Sequence, residues 1–221
     1  MIDKTAGREN PVGFIVITAL AVILFVPLFI FRQIGPLDFW WWMSANLILL
    51  IVLSFISGRN YRKLIAQDFS NRIVKKIMYG ILSAAVLYLV FYIGNILIRY
   101  LLDFASENIQ SIYGFKGEAP DWRILVLMLL VIGPGEEFFW RGWMQRFLEN
   151  RLGKISGYLA ATAVYTLVHV ATGNLVLVLA ALVCGLFWGW LFMKYKSVLL
   201  NAVSHTVWDI AAFVVFPFVV A

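Results

Sequence analysis

An all-α, polytopic bundle of transmembrane helices is the fold expected of this chain. Apolar stretches long enough to cross a bilayer, which takes about 20 residues each, occur seven times in 221 residues. Only 14% of the chain is charged, against about a quarter in a soluble domain. Lysine and arginine also gather in alternate loops, as they do around true spans.

The first apolar run, 12–31, follows Lys4 and Arg8. No small-residue cleavage site ends it, and Arg32-Gln33-Ile34 comes next. It therefore reads as a retained span rather than a signal peptide. The second, 39–57, opens on Trp40-Trp41-Trp42, expected as an interfacial belt. The basic segment 61–76 can lie on the membrane as an amphipathic helix, with Leu64, Ile65, Phe69 and Ile73 on one face. Further spans fall at 74–98, 122–148, 155–172, 174–193 and 198–219. An eighth, short or re-entrant helix is left open at 99–115. No internal repeat or second domain is visible, so residues 1–221 form one integral-membrane domain.

Charge sets the expected orientation. With Lys4 and Arg8 in the cytoplasm, the cytoplasmic loops hold Arg59, Arg62, Lys63, Arg72, Lys75 and Lys76, then Arg146, Arg151 and Lys154, then Lys194 and Lys196. The outer loops mix Arg32, Arg99, Lys116 and Arg123 with Asp38, Asp103, Glu107, Glu118 and Asp121. This is the positive-inside pattern with a cytoplasmic N-terminus. The net charge of +6 is explained by anionic lipid and calls for no nucleic acid. The single cysteine, Cys184, allows no internal disulfide and has no activating charge beside it, so it reads as buried filler. Gly185 and Gly189 have the small-x-x-x-small spacing of close helix packing.

The chemistry lies where charge is least expected. Glu136 and Glu137 sit within the apolar run 122–148, and both histidines, His169 and His205, also fall in apolar stretches. An ionisable residue inside a membrane marks a functional site by default. Glu137 and Arg141 are four residues apart in the favourable order for an ion pair. Glu136 is rotated about 100° from Glu137, which leaves it as the free carboxylate able to work on a water. Tyr165 and His169 share a face, and Asn201, His205 and Asp209 form a polar stripe that must face the bundle interior. Asn201 belongs either to the site or to helix–helix hydrogen bonding.

Gly133-Pro134-Gly135 should break or kink the helix there, and a break would start a new segment at Pro134. Both glutamates would then lie in the first turn of that segment, where free N–H groups favour carboxylates. Along their helices Glu136 and His169 lie about 20 Å from the cytoplasmic ends, and His205 about 10 Å, at 1.5 Å per residue. The constellation is therefore expected to open toward the cytoplasmic half.

Glu-Glu-x-x-x-Arg at 136–141, aromatic-x-x-x-His at 165–169 and His-x-x-x-Asp at 205–209 occur in that order on late spans. Together they resemble the CPBP family, the CAAX-processing and bacteriocin-processing (Abi-type) glutamic intramembrane proteases. The motif-bearing core is about 122–210, and the preceding residues are similar to the family only in being apolar. The resemblance implies peptide-bond hydrolysis by a water activated by Glu136. His169 and His205 would hold the water and stabilise the oxyanion, with no obligatory metal or other cofactor. The family commonly ends on Asn or Asp; an ionised Asp209 can only accept, so it is expected to orient His205. Tyr165 stands where phenylalanine is usual.

Three other readings compete. His169, His205 and Glu136 have the composition of a catalytic zinc site, although the chain lacks His-Glu-x-x-His. A non-catalytic immunity or regulatory protein could use the same scaffold, but it would be expected to lose Glu136 or a histidine. A transporter's ion-coupling site is disfavoured by the short chain without an inverted repeat. The expected partners are the bilayer and a membrane-embedded or lipid-associated peptide or protein precursor. The expected location is a plasma membrane, prokaryotic in type.

Overall fold

A computed structural model describes residues 11–58 and 60–218. Lys4, Arg8 and Arg59, used in the charge count, and Val219, the end of the last expected span, lie outside them. Helices account for nearly all of the described chain. Six are long and apolar enough to cross a membrane: 11–31, 39–57, 73–101, 154–172, 175–195 and 198–215.

Helix α1 (Pro11–Phe31) ends at a small hairpin, Gln33–Ile34 with Leu37–Asp38, turned at Gly35. Asp38 then caps α2 (Phe39–Ser57), its Oδ1 accepting from the backbone N–H groups of Trp40 and Trp41 at 3.1 Å each. The same carboxylate pairs with Arg123. The expected tryptophan belt is only partly realised. Trp41 faces outward and Trp42 is half-buried, but Trp40 is buried within the bundle.

The segment expected as one interfacial helix over 61–76 is divided. Helix α3 (Tyr61–Ser70) lies at the basic end, and a turn with Arg72 at positive φ leads into α4 (Ile73–Leu101). Asp68 locks this corner. It pairs with Lys76 at 2.7 Å and accepts from the N–H of Leu199 at 2.9 Å. The stretch 99–115 contains no further span. It holds α5 (Ala105–Tyr113), about 14 Å long at 1.5 Å per residue, which buries Ala105 and Ile109.

The expected fourth span is a continuous helical run over 121–152, largely buried in the bundle from Ile132 to Phe147, while Leu129 and Leu130 are exposed on its surface. It comprises α6 (Asp121–Leu127), a π-helical turn (Met128–Ile132), α7 (Gly133–Glu136), a second π stretch (Glu137–Gln145) and α8 (Arg146–Leu152). The break expected at Gly133-Pro134-Gly135 is absent. A proline ring clashes with the carbonyl four residues back and lacks an N–H. Here the wider π winding takes up that misfit, and the N–H of Gly133 donates to the carbonyl of Met128, five residues back. The glutamates therefore lie mid-helix, without a helix terminus beneath them.

Helix α9 (Lys154–His169) continues through a 3-10 turn, Val170–Thr172. Asn174 caps α10 (Leu175–Tyr195), accepting from Leu177 N–H at 3.0 Å, and Ser197 caps α11 (Val198–Ile210). A π turn, Ala211–Val215, follows α11. The long spans α9 and α10 pack through the glycine pair noted in the sequence. A Cβ on Gly189 would lie 2.7 Å from the Tyr158 ring, and one on Gly185 would lie 3.0 Å from Thr162.

Candidate active site

The central run brings its carboxylates against α11 because Gly133 lets the two backbones meet. A Cβ there would lie 2.9 Å from the Cα of Thr206. At the basic end Lys196 pairs with Glu149, which sets the α10–α11 turn level with α8. From that level Glu137 is about 18 Å away and His205 about 14 Å, at 1.5 Å per residue. The π winding of 137–145 shortens the longer path. The depth mismatch expected from the sequence thereby closes.

Glu137 is fully buried and its two oxygens are both engaged. Oε1 accepts from His205 Nδ1 at 2.7 Å and lies 3.0 Å from Arg141 Nη1. Oε2 accepts from Asn201 Nδ2 at 3.0 Å. Asn201 also donates to the carbonyl of Trp188 at 2.8 Å. The Arg141 contact is an ion pair without hydrogen-bond alignment, since Nη1 has no hydrogen-bond partner. The guanidinium instead lies over two aromatic faces, 4.6 Å from the Tyr165 ring centre and 5.6 Å from that of Trp188.

The Glu137–Arg141 pair expected from spacing is thus present, but Glu137 does more than pair. It holds the His205 ring, the task expected of Asp209. Asp209 Oδ2 stands 3.5 Å from the other ring nitrogen, Nε2, too far for a hydrogen bond of ordinary length.

Both imidazoles are fixed by the same rule. A carbonyl or carboxylate only accepts, so the ring nitrogen facing it carries the proton. His169 Nδ1 lies 2.7 Å from the backbone carbonyl of Tyr165, and His205 Nδ1 faces Glu137. In each ring Nε2 is left for chemistry. Glu136 contrasts with its neighbour Glu137. It is 6% exposed, and its Oε2 is buried with no hydrogen-bond partner.

Glu136, His169, His205, Asp209 and Tyr165 line one cavity of about 330 Å3, open on one side and otherwise walled by apolar groups. Its walls are the C-terminal halves of α4 and α11, the N-terminal halves of α2 and α10, and α5. All of these lie away from the basic loops, the reverse of the expected opening. The basic end is filled. Tyr61 OH donates to the Phe138 carbonyl at 2.6 Å, Trp143 Nε1 to Ser57 Oγ at 3.1 Å, and Gln145 Nε2 to the Gly189 carbonyl at 2.8 Å. Burial drives the Tyr61 hydroxyl's pKa upward, so it stays a neutral donor in this plug.

Sequence reasoning missed Trp188. Its ring stacks on His205 with centres 3.7 Å apart, and its Nε1 donates to Ser204 Oγ at 3.1 Å, which lies 2.9 Å from Ser83 Oγ. One tryptophan among nine carries no special signal, although its place between Gly185 and Gly189 marks it as lying where helices meet.

Fold and site together define a multi-pass membrane protein with a buried carboxylate–imidazole cluster at the floor of a lipid-level cavity. Residues 118–211, which contain all three motifs, match the family model described as Type II CAAX prenyl endopeptidase Rce1-like. That description agrees with the CAAX-processing proteases that the motifs resemble, and the match takes in less than half of the chain. No curated protein and no solved structure matches the chain.

Proposed function

We propose that this protein is an intramembrane endopeptidase in which Glu136 activates a water to hydrolyse a peptide bond. The observation that carries the reading is the contrast between the two adjacent glutamates. Glu137 is saturated by Arg141, His205 and Asn201, while Glu136 Oε2 stands buried and unpartnered at the cavity. A buried acceptor without a partner costs about 1–3 kcal/mol, and a bound water satisfies it.

In the proposed step, Glu136 takes a proton from that water. His169 Nε2 accepts the water's second hydrogen and aims the oxygen at the scissile carbonyl carbon. The new C–O bond pushes the carbonyl electrons onto oxygen. In its protonated form His205 donates at both nitrogens, to Glu137 through Nδ1 and to that oxyanion through Nε2. When the tetrahedral intermediate collapses, the C–N bond breaks and Glu136 returns its proton to the leaving nitrogen. Asp209, near Nε2, biases the His205 ring rather than touching the water. Hydrolysis without a metal ion is part of the proposal. It is supported by the donor set: among the described residues no three His, Cys, Asp or Glu side chains converge as an ion would need.

The test compares the membrane proteomes of cells carrying the wild type and Glu136→Gln. New protein termini should appear only with the wild type, at equal abundance of the two proteins. Unchanged cleavage by a well-expressed Glu136→Gln protein would refute the mechanism. Activity that follows stoichiometric zinc and is lost with a chelator would establish the metal route instead. The natural setting proposed is a prokaryotic plasma membrane.

A further inference from the structure

We infer that the substrate is an apolar, membrane-spanning peptide segment that slides in sideways between α4 and α10, in the half of the bilayer away from the basic loops. The inference rests on the peptidase reading and adds the route and the side.

The two helices come close at the basic end, and both wall the cavity at the other. Near the basic loops, Tyr79 of α4 and Tyr195 of α10 have ring centres 6.2 Å apart. Farther along, Gly94, Asn95 and Ile98 of α4 face the same cavity as Val176, Leu179 and Val183 of α10. A Cβ on Gly94 would meet nothing within 4 Å, so this face of α4 borders open space. The outer surfaces of both helices are apolar and exposed, at Ile93, Ile96 and Leu97 and at Leu175 and Leu182. A chain leaving the lipid through this seam meets surroundings of the same polarity.

The cavity also offers what a peptide backbone needs and a hydrocarbon chain does not. Trp40 and Trp208 line it, and the indole N–H of each is buried without a partner. Two orphan donors in an apolar site match backbone carbonyls, which only accept. Access from the other end runs into the Tyr61, Trp143 and Gln145 plug. Basic loops mark the cytoplasmic face, so the open half belongs to the outer leaflet.

Route and side are tested apart from catalysis. Cys184 is the only cysteine in the chain and lines the cavity from α10. In native membranes, membrane-soluble N-phenylmaleimide should label it, and Gly94→Trp should slow that labelling several-fold. Ile96→Trp, on the lipid face, should leave it unchanged. No labelling of the wild type, or equal rates for the wild type and Gly94→Trp, would overturn the route whether or not the protein cleaves anything.

The side is read from two experiments. Lys154→Cys on a Cys184→Ala background should react with an impermeant maleimide only in inside-out vesicles. Cleavage sites that depend on Glu136 should fall in the outer half of membrane-spanning segments and should be lost in Gly94→Trp. Cleavages that depend on Glu136 but lie at cytoplasmic tails would overturn the side and leave the peptidase standing. If no cleavage depends on Glu136, both fall. Trp40→Phe and Trp208→Phe should each lower cleavage; insensitivity of both would mean that a lipid or prenyl chain, not a peptide backbone, fills the cavity.

Discussion

Gly80 and Gly94 lie on nearly the same face of α4, about 40° apart at 100° per residue, and they meet opposite surroundings. A Cβ on Gly80 would lie 2.7 Å from Val203 and 2.9 Å from the carbonyl of Leu200, so α4 is clamped onto α11 there. A Cβ on Gly94 would touch nothing. The same helix is a closed seam at its basic end and a free wall at the other. The rest of the molecule follows this division. At the basic end α3, the Asp68–Lys76 and Glu149–Lys196 pairs, and the Tyr61 and Trp143 hydrogen bonds fill the bundle. At the other end a cavity separates the same helices. The glutamate pair marks the boundary, with Glu137 built into the packed half and Glu136 left facing the open one. Packing engages Glu137, Arg141 and His205 from one side and leaves a cavity beside Glu136 on the other.

That comparison can be broken at several points. The largest effect is expected at the boundary itself. Glu136→Gln should lower turnover by about 100-fold or more, the scale of a lost general base, without a change in melting temperature.

Arg141→Ala should destabilise the fold by about 3–5 kcal/mol, because it strands the buried Glu137 carboxylate. Adding Glu137→Gln should recover part of the loss in thermal unfolding in detergent. Additive losses would show that the pair does not work as a unit.

The two glycines sharpen the contrast directly. Gly80→Leu should cost about 1–3 kcal/mol by overpacking, whereas Gly94→Leu should stay within about 0.5 kcal/mol. Equal melting temperatures would remove the distinction between the two halves.

Tyr61→Phe deletes one plug hydrogen bond and should cost about 1 kcal/mol, with cleavage unaffected. Asp209→Asn should be milder still for stability and retain much of the activity, since its contact to His205 is long, whereas His205→Ala should inactivate. Activity lost equally in Asp209→Asn and His205→Ala would give Asp209 a direct part in the reaction.

The membrane class, the helical bundle and the three motifs were legible in the sequence, because apolar length and charge placement are one-dimensional properties. So was the ion pair of Glu137 with Arg141, an i, i+4 relation that survives even the π winding of 137–145. Other features depend on which helices touch, and the sequence does not record this. Glu137 rather than Asp209 holds His205 because Gly133 lets α11 approach the central run. Trp188 belongs to the site because α10 lays its ring on the His205 imidazole. Pro134 leaves the helix unbroken because a π turn absorbs it, an outcome that depends on packing on all sides of the run. The opening lies away from the basic loops because counting residues along helices measures depth but not which end is filled. Composition and spacing determined that this is a membrane protein carrying an acid pair and two imidazoles. Only the tertiary structure decided which acid is free and which half of the bundle stays open, because both follow from contacts between residues far apart in the chain.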